Sequence, residues 1–208
     1  VGEIRLSLYA LKPAFQTFLQ PLVERLARAG VTANQVTLAA AIGSIVVGVV
    51  VAALWPMRWP FLLIPVWLFV RMALNAADGM LARNHGQKTR LGAYLNELGD
   101  VVSDVALYAS FARIAAFGPH LVAIVLLLAV LTEFAGVLGP MIGAARRYDG
   151  PMGKSDRALV FGALGLWYGL GGPLPGWTMW IMVVVAALLV VTCVRRVRGG
   201  LQEGKGKP

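Results

Sequence analysis

Long apolar runs, each closed by proline, glycine or basic residues, dominate this chain and leave it few ways to fold. A helix needs about 20 apolar residues to cross the hydrocarbon of a bilayer. Six such segments are read at roughly 35–54, 59–82, 91–116, 119–145, 158–172 and 176–194. Hydrophobic residues make up 58% of the chain and charged residues only 14%, against about 25% charge in soluble domains, so water is not its main solvent. The spacing predicts an all-α integral membrane protein of six transmembrane helices. Its 208 residues leave no room for a second folded domain.

Ahead of the first span, Leu8, Leu11, Phe15, Phe18, Leu19, Leu22 and Leu26 recur at intervals of three and four, with Lys12, Arg25 and Arg28 elsewhere. That periodicity predicts an N-terminal amphipathic helix lying in the membrane interface. The organisation expected is a juxtamembrane helix over 1–30, a six-helix domain over 31–198 and a basic, disordered tail over 199–208. A short apolar leader followed by a cleavage site is not expected, because the first long run comes only after this amphipathic stretch.

Basic residues gather before the first span, in the loops 83–90 and 146–157 and after the last span, whereas only Arg58 and Arg113 fall in the opposite loops. The positive-inside rule then puts both termini and the charged loops on the cytoplasmic face, in a bacterial inner membrane. The net charge of +9 is accounted for by this anchoring and by anionic lipid headgroups. No aromatic-basic module accompanies it, so nucleic acid is not an expected partner. A single cysteine, Cys193, excludes an internal disulfide and a cysteine-based metal site. His85 and His120 have no second histidine at ligand spacing.

Apolar packing does not explain the polar run where the second and third spans meet: Asn75, Asp78, Gly79, Ala82, Arg83, Gly92, Asn96, Glu97, Asp100 and Asp104. Intramembrane carboxylates mark functional sites by default. On helices, Asn75 and Asp78 share one face, and Asn96, Asp100 and Asp104 stack along another. Two such faces together make an oxygen-rich pocket, and hard oxygen ligands point to Mg²⁺ or Mn²⁺. Glu133, midway along the fourth span, calls for a partner such as Arg71 or Arg113, or for protonation. Gly136, Gly139 and Pro140 are expected to loosen that helix. Lys154 and Arg157, three residues apart at the start of the fifth helix, suit an anionic substrate group.

These residues resemble the signature of the CDP-alcohol phosphotransferases. The family pattern runs Asp, two residues, Asp-Gly, two residues, Ala-Arg, eight residues, Gly, three residues, Asp, three residues, Asp. Here Asn75, Asp78-Gly79, Ala82-Arg83, Gly92, Asn96 and Asp100 fall at those spacings, and Thr32-Ala33-Asn34-Gln35-Val36-Thr37 resembles the family's entry to the first span. The resemblance implies transfer of a phosphoalkyl group from a CDP-alcohol to an acceptor hydroxyl, with release of CMP. Asn75, Asp78, Asn96 and Asp100 would hold Mg²⁺ or Mn²⁺, and Asp100 would be the base. Asn34, Thr37, Gly79, Ala82, Arg83 and Gly92 would face the CDP group, and Arg146, Lys154, Ser155 and Arg157 the acceptor or its phosphate.

Two of the four acidic positions are asparagine, which keeps oxygen donors but removes two negative charges. Asp104 is the candidate to restore one of them, unless Arg71 claims it in an ion pair. CDP-diacylglycerol as donor and a small alcohol as acceptor in phospholipid synthesis are the leading expectation. A CDP-linked small alcohol with a lipid acceptor, and a membrane pseudoenzyme or transporter, are the competing readings. A homodimeric assembly stays open.

Overall fold

A computed structural model describes the backbone of residues 8–204 and side chains from residue 14 onward. All its elements are helical: α1 (Leu8–Arg28), α2 (Ala33–Ala53), α3 (Leu63–Asn84), α4 (Arg90–Tyr108), α5 (Pro119–Val137), α6 (Lys154–Gly169) and α7 (Met179–Gly204), with short 3-10 turns between them. Among the described residues, four stretches are long and apolar enough to cross a membrane: Ala33–Ala53, Trp59–Asn84, Pro119–Ile142 and Gly176–Gly204. The two other expected spans fall short for physical reasons. Helix α4 carries Asn96, Glu97, Asp100 and Asp104, and α6 is only 16 residues long with Lys154, Asp156 and Arg157 in its first turn.

Helix boundaries follow local chemistry. Thr32 and Gln35 form a capping box that starts α2, and Thr89 caps α4 by accepting from the Gly92 amide at 2.8 Å. The third span, expected to run to residue 116, stops being α-helical at Tyr108. It continues in 3-10 turns to a bend at Gly118, whose φ of 70° suits glycine. Helix α5 likewise ends at Val137, and Gly139–Ile142 forms a 3-10 turn, in keeping with the loosening expected of Gly136, Gly139 and Pro140. At the other end of the chain the expectation fails: residues 199–204, read as disordered tail, belong to α7. The cause is a tether, since Glu203 accepts from Arg147 at 2.5 Å and from the Ala145 amide at 3.2 Å. Residues 205–208 of that tail lie outside the described residues.

Helices α2, α3 and α4 pack side by side, α5 pairs with α7, α6 lies against α3, and α1 rests on α3. The α2–α4 crossing is close because Gly48 has no side chain: a Cβ there would lie 2.1 Å from the Ala106 carbonyl oxygen. Away from the polar end the interior is aromatic, with Tyr108 stacked on Phe161 at 4.1 Å and Phe61 edge-on to Phe111 at 5.3 Å. A second apolar cluster joins Leu19 and Val23 of α1 to Val36, Ala77 and Leu81. Outward-facing Leu38, Ile42, Val46, Val49, Val66 and Phe69 are exposed, as expected of a surface whose solvent is lipid.

Candidate active site

The two polar faces read from the signature spacing converge, as the close α2–α4 and α2–α3 packing requires. Between them opens a cavity of about 1040 Å³, lined among others by Asn34, Thr37, Asn75, Asp78, Gly79, Ala82, Arg83, Gly92, Asn96, Asp100, Arg146, Lys154 and Ser155. Thirteen of the fifteen positions singled out from the sequence thus share one space. Residues as far apart in sequence as Asn34 and Ser155 are brought together because the amino-terminal ends of α2, α4 and α6 and the carboxy-terminal end of α3 meet there.

Each wall has its own local cause. Thr37, one turn into α2, donates its hydroxyl to Asp78 at 2.6 Å, so the buried carboxylate is held across the α2–α3 interface. Asn34 meets Thr89 at 3.3 Å. A Cβ at Gly92 would lie 2.6 Å from the Asn34 side-chain oxygen, so glycine is what lets Asn34 reach this wall. Gln87, unremarked in the sequence, accepts from the Ala33 amide at 2.7 Å and closes the end of α2. Asp100 accepts from Asn75 at 3.2 Å and from Arg71 at 3.1 Å on one oxygen, and its other oxygen accepts from the Lys154 ammonium.

Asp104 and Arg157 do not line this cavity. Arg157 is 1% exposed and donates to Asp104 at 2.8 Å and to Glu133 at 2.9 Å. Arg71 completes the pair, reaching Asp104 at 2.6 Å. The charge of Asp104 is therefore used inside the bundle rather than on a cation, and Arg157 is withdrawn from the phosphate-facing set. Helix α6 begins at Lys154, which leaves Lys154 at the rim and turns Arg157 inward. Glu133 finds Arg157, Arg196 at 3.2 Å and Arg146 at 3.5 Å, not Arg71 or Arg113.

Arg196 and Tyr148 also line the cavity and were missed in the sequence, where arginines after the last span read as anchors. The only signal was periodic: Thr192 and Arg196 lie on the buried face of α7. Arg146 stacks over Tyr148 at 4.3 Å and donates to Glu97 at 2.5 Å. Burial works to lower the Arg146 pKa, but Tyr148, Glu97 and Glu133 outweigh it and raise the pKa above the ordinary value.

The oxygen donors that line the cavity, the carboxylates of Asp78 and Asp100 and the side-chain amides of Asn75 and Asn96, are of the kind that suits a hard divalent cation. Among the described residues no three His, Cys, Asp or Glu side chains form a metal-holding group.

A helical bundle with apolar outer faces and a polar, carboxylate-lined cavity at one end is the architecture of a membrane protein built around a charged ligand. Residues 30–195 match the model of the CDP-alcohol phosphatidyltransferase family, and the chain belongs to that family, whose members move a phosphoalkyl group from a CDP-alcohol to a hydroxyl. It is 46% identical over 200 residues to the inner membrane protein YnbA of Escherichia coli, covering 94% of this chain and 97% of that one. It is 29% identical over 195 residues to the phosphatidylinositol phosphate synthase of Mycolicibacterium smegmatis, covering 89% and 85%. Its fold is similar to that of Mycobacterium tuberculosis phosphatidylinositol phosphate synthase (PgsA1) in complex with manganese and citrate, with a TM-score of 0.72 at 23% identity, covering 87% and 88%. The same synthase with CDP-DAG bound also gives a TM-score of 0.72, at 22% identity, covering 90% and 94%.

Proposed function

We propose that this chain transfers a phosphatidyl group from CDP-diacylglycerol to the hydroxyl of a small polar alcohol and releases CMP. The observation that carries this reading is the position of Asp78 and Asp100 in one cavity with the basic side chains Arg83, Arg146 and Lys154. Carboxylates alone would repel a pyrophosphate, and basic groups alone could not take a proton. The CDP-DAG of the mycobacterial synthase structure and the manganese of its companion support both halves of the assignment.

In the proposed reaction Asn34, Thr37, Gly79, Ala82, Arg83 and Gly92 hold the CDP group, Arg146 and Ser155 face the incoming alcohol or its phosphate, and Lys154 stands on Asp100. The Nε of Arg146 is buried without a hydrogen-bond partner among the described residues, which suits a ligand oxygen. Asp100, fixed by Asn75 and Arg71, takes the hydroxyl proton. The freed oxygen attacks the lipid-side phosphorus, the bond to the bridging oxygen breaks, and CMP leaves. Mg²⁺ or Mn²⁺ held by Asp78, Asp100, Asn75 and Asn96 would supply charge stabilisation for the pyrophosphate.

The setting proposed is the bacterial inner membrane, with six spans, α1 in the interface, and termini and cavity cytoplasmic. The basic loops, the apolar outer faces and the inner-membrane relative support it. Purified protein in detergent, given Mn²⁺, CDP-diacylglycerol and a panel of free and phosphorylated polyols, is expected to release CMP with one of them. Asp100→Asn is expected to abolish that release. No CMP from any pair would favour the pseudoenzyme reading that Asn75 and Asn96 invite.

A further inference from the structure

Two cations already sit on the carboxylate at the centre of the cavity. Asp100 receives the Arg71 guanidinium on one oxygen and the Lys154 ammonium on the other, while Asn75 donates its amide to the first. Arg71 is buried and also bound to Asp104, so it is fixed in the bundle. Lys154 differs. Its side chain is 35% exposed, it stands in the first turn of α6, and its ammonium lies at the cavity surface.

The charges that remain decide how many metal ions this site can hold. Asp78 and Asp100 are the carboxylates at the converging faces, and the neighbouring positions 75 and 96 supply amides, which donate oxygen without charge; the other carboxylates lining the cavity are already engaged, Glu133 by Arg157 and Arg196 and Asp156 by the Gly153 amide at the start of α6. Two divalent ions need several anionic ligands to offset their desolvation. Here the second carboxylate is shared with a lysine. We propose, resting on the phosphotransfer reading above, that the Lys154 ammonium takes the place of a second divalent cation, so that the chain binds one metal ion and grips the donor pyrophosphate with that ion and Lys154 together. Lysine binds phosphate as a point charge on a flexible stem. Lys154 can therefore exchange Asp100 for a phosphate oxygen when the donor arrives, freeing the carboxylate oxygen it had covered.

The test reads metal and nucleotide binding directly. Mn²⁺ titration of the purified protein, followed by the electron paramagnetic resonance of free Mn²⁺, is expected to give one ion per chain. The triple variant Asn75→Asp, Asn96→Asp, Lys154→Met is expected to give two. Two ions in the unaltered chain, or one in the folded triple variant, would overturn the proposal. Should the triple variant not be recovered folded, a second measurement decides. In EDTA, with every divalent ion removed, the unaltered chain is expected to bind CDP about ten- to a hundredfold more tightly than Lys154→Met, with Lys154→Arg retaining most of the affinity. Equal affinities for CDP would overturn the proposal as well. The CMP-release assay stands apart from both readouts: its failure would remove the reaction while one ion per chain and lysine-dependent CDP binding still stood.

Discussion

At the residue scale, an asparagine offers a cation the same carbonyl oxygen as an aspartate but none of its charge, so Asn75 and Asn96 set the strength of the site more than its shape. Returning both charges with Asn75→Asp and Asn96→Asp is expected to tighten Mn²⁺ binding roughly tenfold or more, given that close charges interact by a few kcal/mol at an effective dielectric near 20. Calorimetry showing no gain would count against these positions as ligands. Arg157 behaves in the opposite way. Arg157→Met leaves Asp104 and Glu133 each short of a buried partner and is expected to cost about 3–5 kcal/mol of stability, visible as a lowered unfolding midpoint in detergent. CDP affinity of the folded fraction should hold, because Arg157 does not line the cavity. Spacing within each helix made Asp78 on α3 and Asp100 on α4 legible in the sequence, since periodicity fixes which residues share a face. It could not reveal Lys154 on Asp100, 54 residues away, because a loop's course is not periodic. The same limit made Lys154 and Arg157 look like a pair of phosphate ligands, although the first turn of α6 separates rim from interior.

Among the elements, the cores of the helices were legible and several of their ends were not. Hydropathy registers apolar length, and 3-10 turns such as Ala109–Arg113 are as apolar as the helix they extend, so α4 looked longer than it is. The reverse holds for α7, whose polar last turns are held helical by Arg147 and Glu203, a contact across 56 residues. That tether gives the loop between α5 and α6 a pH dependence. Arg147 bonds both oxygens of Asp149, at 2.7 and 2.9 Å, and these bonds hold the Asp149 pKa below its ordinary value. A carboxyl with a depressed folded pKa adds stability above its unfolded pKa of about 3.9 and loses it as pH falls through the folded value. Hydrogen exchange in residues 144–153 is therefore expected to quicken once pH drops below about 4, beyond the intrinsic change of the amides. Asp149→Asn should show the faster exchange already at neutral pH. Exchange in Asp149→Asn matching the unaltered chain at neutral pH would refute the Arg147–Asp149 bridge as a restraint on this loop.

For the molecule as a whole, the six spans and cytoplasmic termini proposed above predict which loops a reagent can reach. In a Cys193→Ser background, a cysteine at His85 should be shielded from a membrane-impermeant maleimide added outside intact spheroplasts, and one at Gly176 should react. Both positions lie in turns between helices, so the labels need not disturb packing. Labelling of the first and not the second would invert the topology. The buried ion pairs have a consequence for how such a bundle comes together. Arg71 belongs to α3, Asp100 and Asp104 to α4, Glu133 to α5, Arg157 to α6 and Arg196 to α7, and the pairs run both to the next helix, as Arg71 to Asp104 and Glu133 to Arg157, and past it, as Asp104 to Arg157 and Glu133 to Arg196. Asp104 therefore gains its second arginine only with α6, and Glu133 has its full set of partners only when α7 has docked. Charge balance thus registers completeness of assembly. A chain cut short before α7 is left with Glu133 short of its Arg196 partner inside the bundle.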